Sequence, residues 1–443
     1  MKKVSFIFLV SLFILNCSSD SSPSLLPTTI QQPEFEVSTL GGSKNDAAYA
    51  VTSTFDGGYV IAGYSQSADG DITDKDNESF DYWVLKFDEE NNIQWSKTYG
   101  GNNDDRANSI IQTQDGGYAV LGYSTSNNND VSENFGAQDY WLTKLDASGN
   151  ITWQKSYGYV GADVGNKIIQ TSDNGYFLIG VLDVTASGGE GNTLQKSFRH
   201  AGGDYWAIKT DSNGNIEWSK YYGGFFTDTP YDAIETNDNA FIIVGSSDSS
   251  DVDISNNVGT YDFWVVKISN AGEIIWEKSF GGTQIDEARA IIKTNDGNYI
   301  IAGDTRSNDV HVSQNNGAAD LWLIKISPNG ELLWDKSIGG SDFDVGRSIS
   351  KTPDNHFIVS GSSRSINGDL SENQGQNDAW LLKIDNNANI IWQKTIGGSL
   401  IDYLYDAIQL PNNTVIAVGE SGSNDGDFTE NKGFSDLLII KTK

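Results

Sequence analysis

The chain has 443 residues, 60 of them acidic and 29 basic, for a net charge of −31. So acidic a molecule repels phosphate backbones and anionic headgroups, which excludes nucleic acid as a partner. One Cys, one Met and three His exclude internal disulfides, Cys zinc sites and iron–sulfur clusters, whereas 12 Trp, 19 Tyr and 19 Phe are enough to build a large core.

Lys2 and Lys3 precede an apolar run over residues 4–15, too short to span a bilayer as a permanent helix. Residues 1–16 therefore read as a cleaved signal peptide. The run ends in LILNCSSDSS, which resembles the lipoprotein signals of Bacteroidetes. The resemblance implies that Cys17 becomes the lipid-bearing first residue, that the protein is anchored in the outer membrane, and that it faces the cell surface in preference to the periplasm. Residues 17–34, rich in Ser and Pro without an apolar period, read as the lipidated Cys and a flexible tether.

From residue 35 to 443 the chain repeats. Glycine pairs begin at Gly41, Gly100, Gly223, Gly281, Gly339 and Gly397, with Gly158 followed by Tyr159 in the corresponding place. A period of 58 to 65 residues fits four-strand units and is too long for ankyrin, TPR or leucine-rich repeats. In the first unit, AYAVTST, the turn Asp56-Gly57-Gly58 and YVIAGYS form an inner hairpin, and DYWVLKFD and IQWSKTY an outer one. The twelve Trp fall as six pairs on the last two strands (83/95, 141/153, 206/218, 264/276, 322/334 and 380/392), where flat side chains fill the space between sheets. The seventh unit ends before a fourth strand. FEVSTL, residues 35–40, stands where that strand belongs, with Glu36 at the Trp position. The expected fold is all-β, a seven-bladed β-propeller of four-stranded blades closed by the N-terminal strand.

The segments DYWLTKLDASGNITWQKSYG and GGTQIDEARAIIKTNDGNYIIAGDTRS resemble the SBBP-type bacterial and archaeal β-propeller repeat. That resemblance implies the fold and carries no catalytic residues.

In such blades the links from strand four to the next strand one, and from strand two to strand three, emerge on one face. The second-to-third links are long and acidic, as in SQSADGDITDKDNESFD, and long loops on a rigid scaffold are where binding resides. Two Asp recur in every unit. Asp46, Asp105, Asp163, Asp228, Asp286, Asp344 and Asp402 form a candidate acidic ring on this top face. Asp81, Asp139, Asp204, Asp262, Asp320, Asp378 and Asp436 precede the aromatic of strand three. Such repetition favours structural capping of turn N–H groups; the competing reading is calcium, with Asp69/Asp71 or Asp425/Asp427 as ligands. Otherwise no cofactor is expected.

The third unit alone carries a longer loop, which holds Lys196, Arg199 and His200, the one basic cluster visible along the mature chain and the candidate partner-binding loop. His200, His311 and His356 share no spacing, and no Cys nucleophile or phosphate loop exists, so no enzyme is expected. Two functions stay open. One is a lipid-anchored scaffold, or accessory subunit of an envelope complex, that binds another protein. The alternative is a glycan-binding lipoprotein of a polysaccharide-uptake system.

Overall fold

The computed structural model describes residues 32–192 and 202–442. The chain divides into Met1–Gln32 and Pro33–Lys443, and the fold is that of the second part. Among the described residues, 28 strands form seven antiparallel four-stranded sheets, the blades of a β-propeller.

The first blade shows why the sequence folds as it does. Its strands are Asp46–Ser53, Tyr59–Ser65, Asp81–Phe87 and Ile93–Tyr99. The two middle strands are buried along their whole length, because they face a neighbouring sheet on both sides. The inner turn is tight because Gly57 adopts φ 87°; Asn takes the left-handed place in other blades, as at Asn174 and Asn355. The strand-three Lys runs under this turn, and its ammonium ends on the turn Asp: Lys86–Asp56 at 2.9 Å, with five repeats from Lys144–Asp115 to Lys383–Asp354 at 2.7 to 3.0 Å.

Seven apolar clusters, one between each pair of neighbouring blades, replace a single core. Trp83, Trp141, Trp206, Trp264, Trp322 and Trp380 are fully buried in them. Their strand-four counterparts behave differently from the sequence expectation: Trp95, Trp153, Trp218, Trp276 and Trp334 are only half-buried. Trp95 lies over Gly149 in the next blade's outer turn, where an added methyl would come within 3.1 Å of the indole.

The ring closes through the N-terminus. Phe35–Leu40 pairs antiparallel with Asp436–Thr442 in unbroken register from Phe35↔Thr442 to Leu40↔Leu437. Glu36, at the Trp position, is exposed and lies opposite Lys441. Phe35 instead supplies an aromatic, edge-on to Trp392 at 5.9 Å.

Candidate functional site

Cys17, Lys196, Arg199 and His200 lie outside the described residues. Both Asp sets are described, and their side chains have work within the fold. In the first set, Asp46 accepts from the Gly42 N–H at 2.8 Å and from the hydroxyls of Ser65 and Ser67 at 2.5 and 2.8 Å. Asp105, Asp286, Asp344 and Asp402 repeat this clasp. In the third blade, which lacks the Ser-x-Ser, Asp163 accepts from Tyr159 and Asp183 N–H groups. Every member of the set is completely buried, so the expected top-face ring is a layer beneath the loops and presents nothing at the surface.

The second set comes up against the first across each blade junction. A methyl on Gly41 would lie 2.6 Å from Asp436 Oδ1 and 2.7 Å from Asp46 Oδ2, and one on Gly100 would lie 2.7 Å from Asp81 Oδ1 and 2.8 Å from Asp105 Oδ2. Only glycine leaves room for two carboxylates there. Burial pushes Asp163, Asp228 and Asp262 up to about 7 and Asp139, Asp320, Asp378 and Asp436 up to about 6. The facing carboxylate adds to the rise for Asp262 (Asp286), Asp320 (Asp344) and Asp436 (Asp46). In the first blade Lys75 reaches in, with its ammonium 3.3 Å from Asp81.

The calcium candidates are occupied too. Asp69 accepts from Ser43 N–H at 2.7 Å and Asp71 from Gly41 N–H at 2.9 Å; Asp425 and Asp427 do the same for Ser399 and Gly397. They tie the long loop to the glycine pair. Among the described residues no group of three His, Cys, Asp or Glu side chains is arranged to hold a metal.

A site that motif reading missed lies in the central channel, where the seven inner strands meet. Each inner strand carries a β-bulge at the same place: between Ala48 and Ala50 in the first blade, Ala107 and Ser109 in the second, and so on round the ring. The bulged residues are Tyr49, Asn108, Asn166, Tyr231, Arg289, Arg347 and Tyr405, and all seven line one cavity of about 260 Å³. A bulge re-aims its side chain out of the sheet. It also frees an N–H in the strand, which a neighbouring blade satisfies: Asp406 accepts from Val51 and Asp232 from Ile291, at 3.0 and 2.9 Å. Asp232 also holds the Lys167 ammonium at 3.1 Å.

The channel gathers cations from separate blades. The chain has six Arg; besides Arg199, they are Arg106, Arg289, Arg306, Arg347 and Arg364, and they cluster at the channel and its top mouth. Arg289 pairs with Glu287 at 2.8 Å and lies 4.0 Å from Asp304. Burial pushes the Asp304 carboxyl up to about 6, against the pull of Arg289. Arg106 forks onto Asp104 at 2.8 and 3.1 Å and lies 3.8 Å above the Phe80 ring. Arg306 and Arg364 flank Phe343 at 5.6 and 5.7 Å. These arginines come from three blades, so the basic residues of the third-unit loop are not the sole basic group of the chain.

The same face carries exposed apolar side chains. Of the sixteen large ones exposed among the described residues, eleven belong to its loops: Phe135, Val160, Phe225, Phe226, Val252, Val258, Val310, Ile366, Leu400, Ile401 and Phe434. The opposite turns contribute Phe55.

No family model and no curated protein matches the chain, so its resemblance to the SBBP-type repeat rests on the motifs quoted above. Among solved structures it is similar to a protein of unknown function from Bacteroides caccae, at 10% identity and a TM-score of 0.40 over 71% of this chain and 89% of that one. It is similar also to Sqt1 from Chaetomium thermophilum, at 10% identity and a TM-score of 0.46 over 93% and 100% of the two chains. A third is the Neurospora crassa Pan2 WD40 domain, at 8% and 0.47 over 92% and 95%. These likenesses concern the fold alone.

Proposed function

We propose that this propeller is a non-enzymatic scaffold, lipid-anchored in the outer membrane through Cys17 and displayed at the cell surface, that binds another envelope protein through its long-loop face. The exposed apolar loop residues carry the reading. Phe225 and Phe226 are 44% and 58% exposed and Phe434 is 72% exposed, and contacts of this kind on a rigid disc suit a protein partner. Lys196, Arg199 and His200, on the unique loop, would supply specificity among blades that are otherwise alike. Neither His311 nor His356 lines the channel, and His356 pairs with Asp354 in an inner turn. The reading needs no calcium, because the acids suggested as ligands cap backbone N–H groups.

Two experiments test it. In the first, Cys17→Ser moves the protein from the membrane to the soluble fraction with its melting temperature unchanged; a variant that still sediments with membranes overturns the anchor. In the second, the tagged protein captures a partner from detergent-solubilised envelopes. Phe225→Ser/Phe226→Ser, or replacement of residues 188–203 by a short Gly-Ser loop, reduces capture at least about tenfold, while changes to the turn Asn213-Gly214 on the other face do not. Loss of capture only with the turn variant places the partner on the wrong face for this reading.

Glycan binding, the alternative, draws its support from the channel and not from the loops.

A further inference from the structure

In the channel the blades present different chemistry at one register position, the bulged residue of each inner strand. We infer that it binds a sugar acid, a polyhydroxylated monocarboxylate of about the size of one hexuronate, with the carboxylate on Arg347.

Four observations meet on this ligand. First, of the two arginines that line the cavity, Arg289 and Arg347, only Arg347 is left without a bonded partner. Arg106, Arg289 and Arg364 each donate to an acceptor, namely Asp104, Glu287 and Asn377. Arg347 has no hydrogen-bonded or ion-paired partner among the described residues; its Nε is buried and unsatisfied, and its guanidinium rests 5.3 and 5.2 Å from the Tyr403 and Tyr405 rings. A guanidinium held against two aromatic rings keeps its fork of donors for a planar carboxylate.

Second, two amides across the ring are oriented with acceptors spare. Asn108 Nδ2 donates to Gly165 O at 2.9 Å and Asn166 Nδ2 to Pro230 O at 2.8 Å. A carbonyl needs a donor, so the amide orientation is fixed, and each Oδ1 is left without a donor among the described residues. Hydroxyl groups satisfy such acceptors; an aryl carboxylate would leave them unpaired at a cost.

Third, Tyr49 and Tyr405 both line the cavity and stack on one another at 4.3 Å with their planes 9° apart, a rigid apolar edge for the C–H groups of a pyranose. Fourth, the size and field agree. A cavity of about 260 Å³ holds one monosaccharide and not a nucleotide or a peptide. The arginines at its mouth give an anion a local cationic approach on a chain whose net charge is −31. The inference concerns the channel alone and is independent of the protein-docking face.

Titration calorimetry of the whole mature protein tests it, with D-galacturonate, D-galactose and acetate as probes. Wild type binds galacturonate, galactose at least about tenfold more weakly, and acetate does not displace the sugar acid, since the carboxylate and hydroxyl contacts act together. Arg347→Met weakens galacturonate by about tenfold or more, Arg347→Lys by less, and Lys155→Met, on the outer strand Ile151–Tyr157 and away from the channel, has no effect. Melting curves confirm that each variant is folded. Galacturonate trimer distinguishes the source: tighter binding than the monomer identifies the end of an acidic glycan, and binding of the monomer alone identifies a free sugar acid. Equal affinity for galactose, full competition by acetate, an Arg347→Met protein that binds as wild type, or no binding at about 10 mM each overturns the assignment.

Discussion

Deleting Phe35–Leu40 lowers the melting temperature of the propeller by about 10 °C or more and makes the protein concentration-dependently aggregating. The six residues complete the seventh blade, and without them the strand Asp436–Thr442 becomes an open edge. That strand is buried at all positions but one, so the edge exposed is apolar as well as unpaired. Loss of Phe35 also uncovers Trp392 at the junction of the sixth and seventh blades. The expected cost is several kcal/mol from six lost cross-strand pairs and the apolar surface they cover. Glu36→Gln, at an exposed position of the same strand, leaves the melting temperature within about 1 °C. Thermal melts and size-exclusion chromatography decide the matter: a truncated protein that melts with wild type and stays monomeric shows that closure contributes nothing.

The second large effect is a dependence of stability on pH set at the blade junctions. Carboxyls there are held up near 6 to 7 when folded and return to the ordinary carboxylate range when unfolded. The folded state therefore binds protons more tightly. Its stabilisation by these groups is complete below about pH 4 and is lost as pH rises through 6 to 7. The turn aspartates act oppositely. Bonds from Thr171 and Lys209 outweigh burial and hold Asp173 down at about 2, so its contribution is present above about pH 4 and lost as pH falls toward 2. Asp173 is half-exposed and screened, so its arm is the weaker one. The melting temperature is thus highest near pH 4 and falls by roughly 5 to 10 °C by pH 8. Asp262→Asn, which removes one charge of a junction pair, raises the melting temperature at pH 8 and reduces the slope between pH 6 and 8. A flat profile over that range, or a variant with an unchanged slope, refutes tighter proton binding at the junctions of the folded state.

Much of this architecture is legible in the sequence. The glycine pairs set the blade count, because Gly41, Gly100, Gly223, Gly281 and Gly339 each back onto two carboxylates that leave no space for a side chain. The Trp of strand three announces the packed interior, because the two middle strands of every blade are covered on both sides. The missing fourth strand at the C-terminus, with an orphan strand before the first glycine pair, required closure, because an exposed apolar edge is unstable. These features recur every 58 to 65 residues, so comparing the chain with itself reveals them.

What only the tertiary structure decided is the depth of the repeated side chains and the chemistry gathered at the axis. Repetition could not tell that the first Asp set is sealed under the loops, since depth depends on the Ser hydroxyls and glycine N–H groups folded over it. Nor could it show the channel. Asn108, Arg347 and Tyr405 look like unremarkable exceptions at one repeat position, hundreds of residues apart in the extreme. A bulge turns each inward, and the ring brings them to a common cavity. Strand alternation alone assigns side chains to one face of a sheet or the other. It has no address for the axis, which exists only once seven sheets have closed around it.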